Sequence, residues 1–162
     1  MGITVLSGLD LLYYAVSDLR DHRPADVLIR ATRATVQRLM AQYRIDTLAY
    51  EKTFYVQSKN SALLQVQEGE LRRVGKVASL RVVGYSPTHV RRMLCADGRA
   101  TKEIVARVLT ERYSHLDRYL GTTNLRQQTY WLHMFDALAV GVVCAETLTR
   151  ESSGRREETA AV

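Results

Sequence analysis

The chain has 162 residues, 46% hydrophobic and 25% charged, a length and balance that suit one globular domain with its own core. No run approaches the roughly 20 consecutive apolar residues of a membrane-spanning helix, and Met1-Gly2-Ile3-Thr4 lacks the basic start and apolar stretch of a secretory signal, so no membrane association and a cytoplasmic location are expected. Lys plus Arg number 23 against 17 Asp plus Glu, a net charge of +6 that favours a polyanionic partner such as nucleic acid, because each cation near a phosphate releases condensed counterions.

Ile3 to Leu6 is a short β-type run closed by Ser7-Gly8, and the strand-like Leu11 to Ser17 follows, so residues 3–19 read as a hairpin. Arg23-Pro24-Ala25-Asp26 supplies a helix start with proline and an acid in the first turn, and the helix is expected to reach about Tyr43. Asp46 to Glu51 is an apolar strand ending on a carboxylate. A loop, Lys52 to Lys59, leads to an Asn60-Ser61 cap and a helix to Ala78, with Leu63, Val66, Val74 and Val77 at helical spacing. Leu80 to Tyr85 is another strand, and Ser86-Pro87 starts a short helix to about Leu94. Ala96-Asp97-Gly98-Arg99 is a turn, after which Thr101 caps a helix to about Arg112. The final helix is expected over Leu125 to Leu148, and Arg150 to Val162 reads as a polar, disordered tail behind a domain spanning residues 1–149. Strands alternating with helices indicate an α/β fold. Cys95 and Cys144 have neither ligand spacing nor a disulfide framework and read as reduced thiols.

Glu51 is the first chemical candidate, because a charged side chain at the carboxyl end of a strand sits where open α/β sheets place their ligands. The plain alternative is a solvated strand-end acid. His133 and Asp136 lie three apart, on one face of the final helix, and can point at a common site. They also stand at the start of an apolar helix, where a buried acid needs a strong partner. A helix-start acid with a nearby histidine is the equally available structural reading.

Taken together, these segments resemble the RuvC-type Holliday junction resolvases. Glu51-Lys-Thr-Phe54 through Lys59-Asn60-Ser61-Ala62-Leu63 is similar to that family's strand-end glutamate, Phe-containing loop and helix start. Tyr85-Ser86-Pro87-Thr88-His89-Val90-Arg91-Arg92 resembles its Tyr-x-Pro-x-x-Val-Lys segment, and Gly98 to Glu103 its following turn. His133-Met134-Phe135-Asp136-Ala137-Leu138-Ala139-Val140 is similar to its closing helix. The segments come in family order and extend from about Gly2 to Glu146.

The resemblance implies an RNase H-like fold, a five-stranded mixed sheet flanked by helices, and a Mg²⁺- or Mn²⁺-dependent endonuclease that cleaves branched DNA. Glu51 and Asp136 are then metal ligands, as is His133, which stands where most members carry Asp and some His; histidine shifts preference towards the softer ion. Phe54, with Tyr55 beside it, matches the loop aromatic that stacks on a base; a core Phe is the alternative. Arg91, Arg92 and Lys102 fall on or beside phosphate-contacting positions; a solvated helix surface is the alternative for all three, and for Arg92 the favoured one. Lys59, Arg72, Arg73 and Lys76 give general electrostatic support. Two symmetric cuts imply a homodimer.

One family feature has no counterpart. Its enzymes carry a further carboxylate at the end of the first, central strand, whereas Gly2-Ile3-Thr4-Val5 resembles the segment that opens the second. On that reading the first strand lies upstream of Met1, through a misassigned start or a truncation. The rival reading makes Ile3 to Asp10 the first strand and Asp10 the missing ligand, but it leaves only one further strand before Arg23, and the 41 residues from Asp10 to Glu51 are fewer than the family spacing. A catalytically inactive or truncated junction-binding module of the same fold is therefore the alternative to the enzyme, and a basic α/β domain of other role is a third reading.

Overall fold

The structure is a computed structural model that describes residues 1–17, 25–53, 59–120 and 125–160. It divides into two units: residues 1–16 with 88–162, and residues 17–87.

The first unit opens with β1 (Gly2–Ser7) and β2 (Asp10–Val16), an antiparallel hairpin closed by Gly8 and Leu9. Gly8 takes a positive φ of 56°, which a glycine adopts without steric cost. Asp10 pairs with Ser7 and opens β2; it does not end β1, contrary to the reading of Ile3–Asp10 as one strand, because the Gly8-Leu9 turn reverses the chain first. The unit continues with α3 (Pro87–Cys95), which begins at the boundary, α4 (Lys102–Arg112), a 3₁₀ turn over Ser114–Tyr119, and α5 (Leu125–Ala160). Thr101 caps α4 as expected, its hydroxyl accepting from the Ile104 amide.

α5 packs on both β1 and α4. Because neighbours cover two sides of it, Met134, Phe135, Leu138, Val142 and Val143 are all fully buried, and the helix has no single apolar stripe between residues 134 and 144. Close approach to β1 depends on glycine. A Cβ at Gly2 would collide with the His133 carbonyl, and one at Gly141 would meet Leu6. The Thr4 hydroxyl then donates to the Ala137 carbonyl at 3.2 Å. Thr129–Gly154 is long and apolar enough to cross a membrane by length and composition, contrary to the expectation that no such stretch exists. Its burial against β1 and α4 accounts for that composition.

The last helix also runs further than expected, through Ala160, into the stretch whose composition indicated a disordered tail. Ser152 and Ser153 hydroxyls bond back to the Leu148 and Thr149 carbonyls, and Arg150 pairs with Glu146, so i,i+4 contacts carry the helix beyond its buried part. At the opposite end, Tyr14, Tyr119, Tyr130 and Trp131 interlock around the exit of the hairpin. Tyr119 and Trp131 ring centroids are 4.1 Å apart, and the Tyr130 hydroxyl donates to the Val16 carbonyl at 2.7 Å.

The second unit holds α1 (Ala25–Gln42), β3 (Thr47–Glu51), α2 (Lys59–Val77) and β4 (Arg81–Tyr85). β3 and β4 pair in parallel, Thr47 with Arg81 through Glu51 with Tyr85, and α2 makes the crossover that parallel neighbours require. α2 starts at Lys59, so Asn60 and Ser61 fall inside its first turn and do not precede it as a cap. Its interface with α1 is polar at the centre. The Gln67 amide donates to the buried Thr32 hydroxyl at 3.3 Å. Glu70, whose side chain is 5% exposed, accepts from Arg33 and, through both carboxylate oxygens, from Arg73 at 2.8–2.9 Å.

The paired donors on Arg73, then Arg33, lower the Glu70 pKa from 4.5 to about 2. The carboxylate is therefore more acidic in the folded chain than in the unfolded one, so its stabilisation is complete above pH 4.5 and is lost as pH falls towards 2. Because both arginines reach solvent, the full linkage is discounted to about 2 kcal/mol. Glu70→Gln is expected to lower unfolding free energy by that amount at pH 7 and to flatten the acid limb of a urea-denaturation pH series. An unchanged acid limb would refute this assignment.

Among the described residues the four strands form two two-stranded sheets, β1–β2 and β3–β4, in place of a single five-stranded one. No described fifth strand bonds to the outer edge of β1 or of β3, so each ladder closes within its own pair.

Candidate functional site

Two helices of the first unit bring three of the expected residues together. Asp136 and His133 are one turn apart on α5, and the Lys102 ammonium, from the first residue of α4, donates to Asp136 Oδ2. The packing of α4 on α5 sets this meeting: Val105, Ala106 and Leu109 of α4 are buried, as are Met134, Phe135 and Leu138 on α5. Lys102 is not placed for the good of its own helix, since a cation in the first turn opposes the macrodipole.

His133 is exposed as a residue, yet neighbouring atoms strip enough water from its ring to lower its pKa below the usual histidine value. The Lys102 charge acts in the same direction and the Asp136 carboxylate against it. His133 therefore presents a neutral ring with a lone pair, the form that ligates metal. Asp136 is 24% exposed and already holds a cation, the ammonium of Lys102.

A carboxylate oxygen suits Mg²⁺ or Mn²⁺, an imidazole nitrogen beside it favours the softer Mn²⁺, and the ammonium on Asp136 shows that this carboxylate can hold positive charge. They are two ligands of a set: among the described residues no group of three His, Cys, Asp or Glu side chains comes together. Water and substrate phosphate oxygens commonly complete such a shell.

Asp10 does not join His133 and Asp136. Gly2 lies against His133, while Asp10 pairs with Ser7 at the other end of β1, and five steps of about 3.3 Å separate those ends by roughly 17 Å. Asp10 instead faces Tyr113, whose hydroxyl donates to the Leu9 carbonyl at 2.7 Å; burial first, and the Asp10 charge with it, raises the Tyr113 pKa.

Glu51 belongs to the second unit, exposed at the carboxyl end of β3 and paired with Tyr85. The chain leaving it is tied to β4 and α2: the Lys52 amide donates to the Tyr85 carbonyl at 2.8 Å and the Thr53 amide to Glu68 at 3.0 Å. The sequence gives no sign that Glu68 holds the chain after Glu51, because its i,i+4 spacing with Arg72 reads as an ordinary helix-surface pair. Arg72 and Arg73 depart from the expected role of general support for DNA. Arg72 donates to the buried Tyr50 hydroxyl and pairs with Glu68, while Arg73 is held by Glu70.

Arg91 is half-buried and Arg92 exposed, adjacent residues of α3; the Arg92 guanidinium lies against the turn at Gly98. Phe54 and Tyr55 lie outside the described residues, and of Lys59 only the backbone, the first residue of α2, is described.

Two solved structures from Thermus thermophilus are similar to most of this chain. One, of RuvC, has a TM-score of 0.63 and 22% identity and covers 87% of this chain and 82% of its own. The other, of RuvC in complex with Holliday junction substrate, has a TM-score of 0.63 and 23% identity with the same coverage. At these identities the likeness concerns the fold, which is RNase H-like. No curated protein sequence matches. The family model described as crossover junction endodeoxyribonuclease RuvC matches residues 7–144, a range that holds Glu51, Lys102, His133 and Asp136. With most of its length matched, the chain belongs to the RuvC family.

Proposed function

We propose that this chain is a divalent-metal-dependent endonuclease that nicks DNA at four-way junctions, acting as a cytoplasmic homodimer. The observation that carries the reading is the Asp136 carboxylate, one helical turn from His133 and already bearing a cation, in a chain of the RuvC family. Asp136 and His133 would hold the metal. When bound, the ion supplies an activated water and neutralises charge on the scissile phosphate.

The protein's own groups do the rest. Asp136 fixes a negative charge beside the phosphate, and His133 keeps a lone pair rather than a proton. Lys102 sits within reach of the same spot as a phosphate contact, with Arg91 and Arg92 on α3 adding positive charge along the DNA path. Glu51 is a separate candidate ligand, and Phe54 a candidate for stacking on an unpaired base.

A synthetic four-way junction incubated with the chain in Mg²⁺ or Mn²⁺ should be nicked symmetrically, and EDTA should abolish the nicks. Cleavage that survives both Glu51→Gln and Asp136→Asn would overturn the reading. A second reading, a non-catalytic junction-binding module, draws on the two-ligand count among the described residues. It calls for salt-dependent junction binding without cutting in either ion.

A further inference from the structure

We infer that Lys102 is a resident cation on Asp136 that a divalent ion must displace, so that the protein's own side chain gates metal loading. The inference rests on Asp136 being a metal ligand and adds to it the rule by which the site fills.

In the DNA-free chain the ammonium is committed to Asp136. Lys102 Nζ donates to Asp136 Oδ2, the same kind of oxygen that a Mg²⁺ or Mn²⁺ ion takes. Its place in the first turn of α4 is unfavourable for that helix, so the contact with Asp136, and not helix stability, accounts for a cation there. A divalent ion and an ammonium cannot both contact one carboxylate without strong mutual repulsion at a few ångströms.

Displacement is also structurally cheap. The Lys102 side chain is 44% exposed and ends a flexible four-carbon stem, so it swings into water without disturbing the buried Val105, Ala106 and Leu109 behind it. Once released, the ammonium is free to meet a phosphate. Nucleic acid therefore favours loading by drawing Lys102 off the carboxylate, and a DNA-free chain binds the ion more weakly than it would without Lys102.

Mn²⁺ binding to the full-length, DNA-free chain, followed by the loss of the free-ion electron paramagnetic resonance signal, tests this directly. Lys102→Met is expected to tighten Mn²⁺ binding about tenfold, within the range typical of coupled sites. Lys102→Arg, whose planar fork grips a carboxylate at two points, is expected to weaken it. Arg99→Gln removes an exposed cation from the turn before α4 and controls for net charge alone. If Lys102→Met tightens binding no more than Arg99→Gln does, or if Lys102→Arg binds as tightly as Lys102→Met, the gate is refuted. If Asp136→Asn leaves Mn²⁺ binding unchanged, the metal-site reading itself fails, a result separable from failure of the gate. Thermal melts of each variant without metal confirm that the folded chain is being compared.

Discussion

Asp136→Asn is expected to reduce junction cleavage about a thousandfold, equivalent to about 4 kcal/mol of transition-state stabilisation, while leaving junction affinity unchanged or slightly improved. Asparagine keeps the shape and hydrogen-bonding capacity of the side chain but removes its charge. That charge holds Lys102 in the free protein and would hold the cation during reaction. Removing it also deletes a negative group from the path of the phosphates, which is why binding does not suffer. Folding is barely touched, because the pair broken is partly exposed, Lys102 at 44% and Asp136 at 24%, and such pairs contribute at most about 1 kcal/mol. Single-turnover cleavage, gel-shift affinity and a thermal melt on the same preparation separate the three quantities. Residual cleavage within tenfold of the starting chain would remove Asp136 from the chemistry.

Element types were largely legible in the residues. The β-type runs of β1 and β2, the capping Thr101 and the proline at the start of α3 each act through the local chain, so each leaves a local mark. α5 continues past Leu148 in the structure because Arg150 pairs with Glu146 one turn back, and such i,i+4 contacts extend a helix already anchored by its buried part. The membrane-like composition of Thr129–Gly154 misleads. A helix covered on two sides is apolar all round, as a spanning helix is, and only its neighbours distinguish them.

For the site, His133 and Asp136 were visible as an i,i+3 pair because both are on one helix. Lys102 was visible as a basic residue near a family position, but its contact with Asp136 crosses 34 residues and depends on how α4 packs on α5. No periodicity encodes that. The same holds for Arg72 and Arg73, which count as free positive charge in a composition and prove to be engaged by Tyr50, Glu68 and Glu70. Net charge therefore overstates what the second unit offers to a polyanion. The basic surface that remains is better sought on α3 and the start of α4.

Phe135→Ala is expected to destabilise the chain by about 3–5 kcal/mol, the range for truncating a fully buried aromatic. Phe135 is 1% exposed and heads the fully buried side chains by volume, most of them on α5. Met134, next to it in the chain, is fully buried as well, so the void opened by alanine lies in the core that α5 shares with its neighbours. The helix has little means of collapsing into it, since its approach to β1 is already fixed by the Gly2 and Gly141 contacts. Phe135→Leu fills most of the same space and is expected to lose less than about 1.5 kcal/mol. The comparison separates two effects on function. If Asp136 is positioned by the packing of α4 on α5, Phe135→Leu should retain most cleavage at 25 °C, and Phe135→Ala should lose cleavage in step with its unfolded fraction measured in urea. A Phe135→Ala protein as stable as the starting chain would show that α5 does not hold the core of its unit, and the placement of Asp136 by that packing would fall with it.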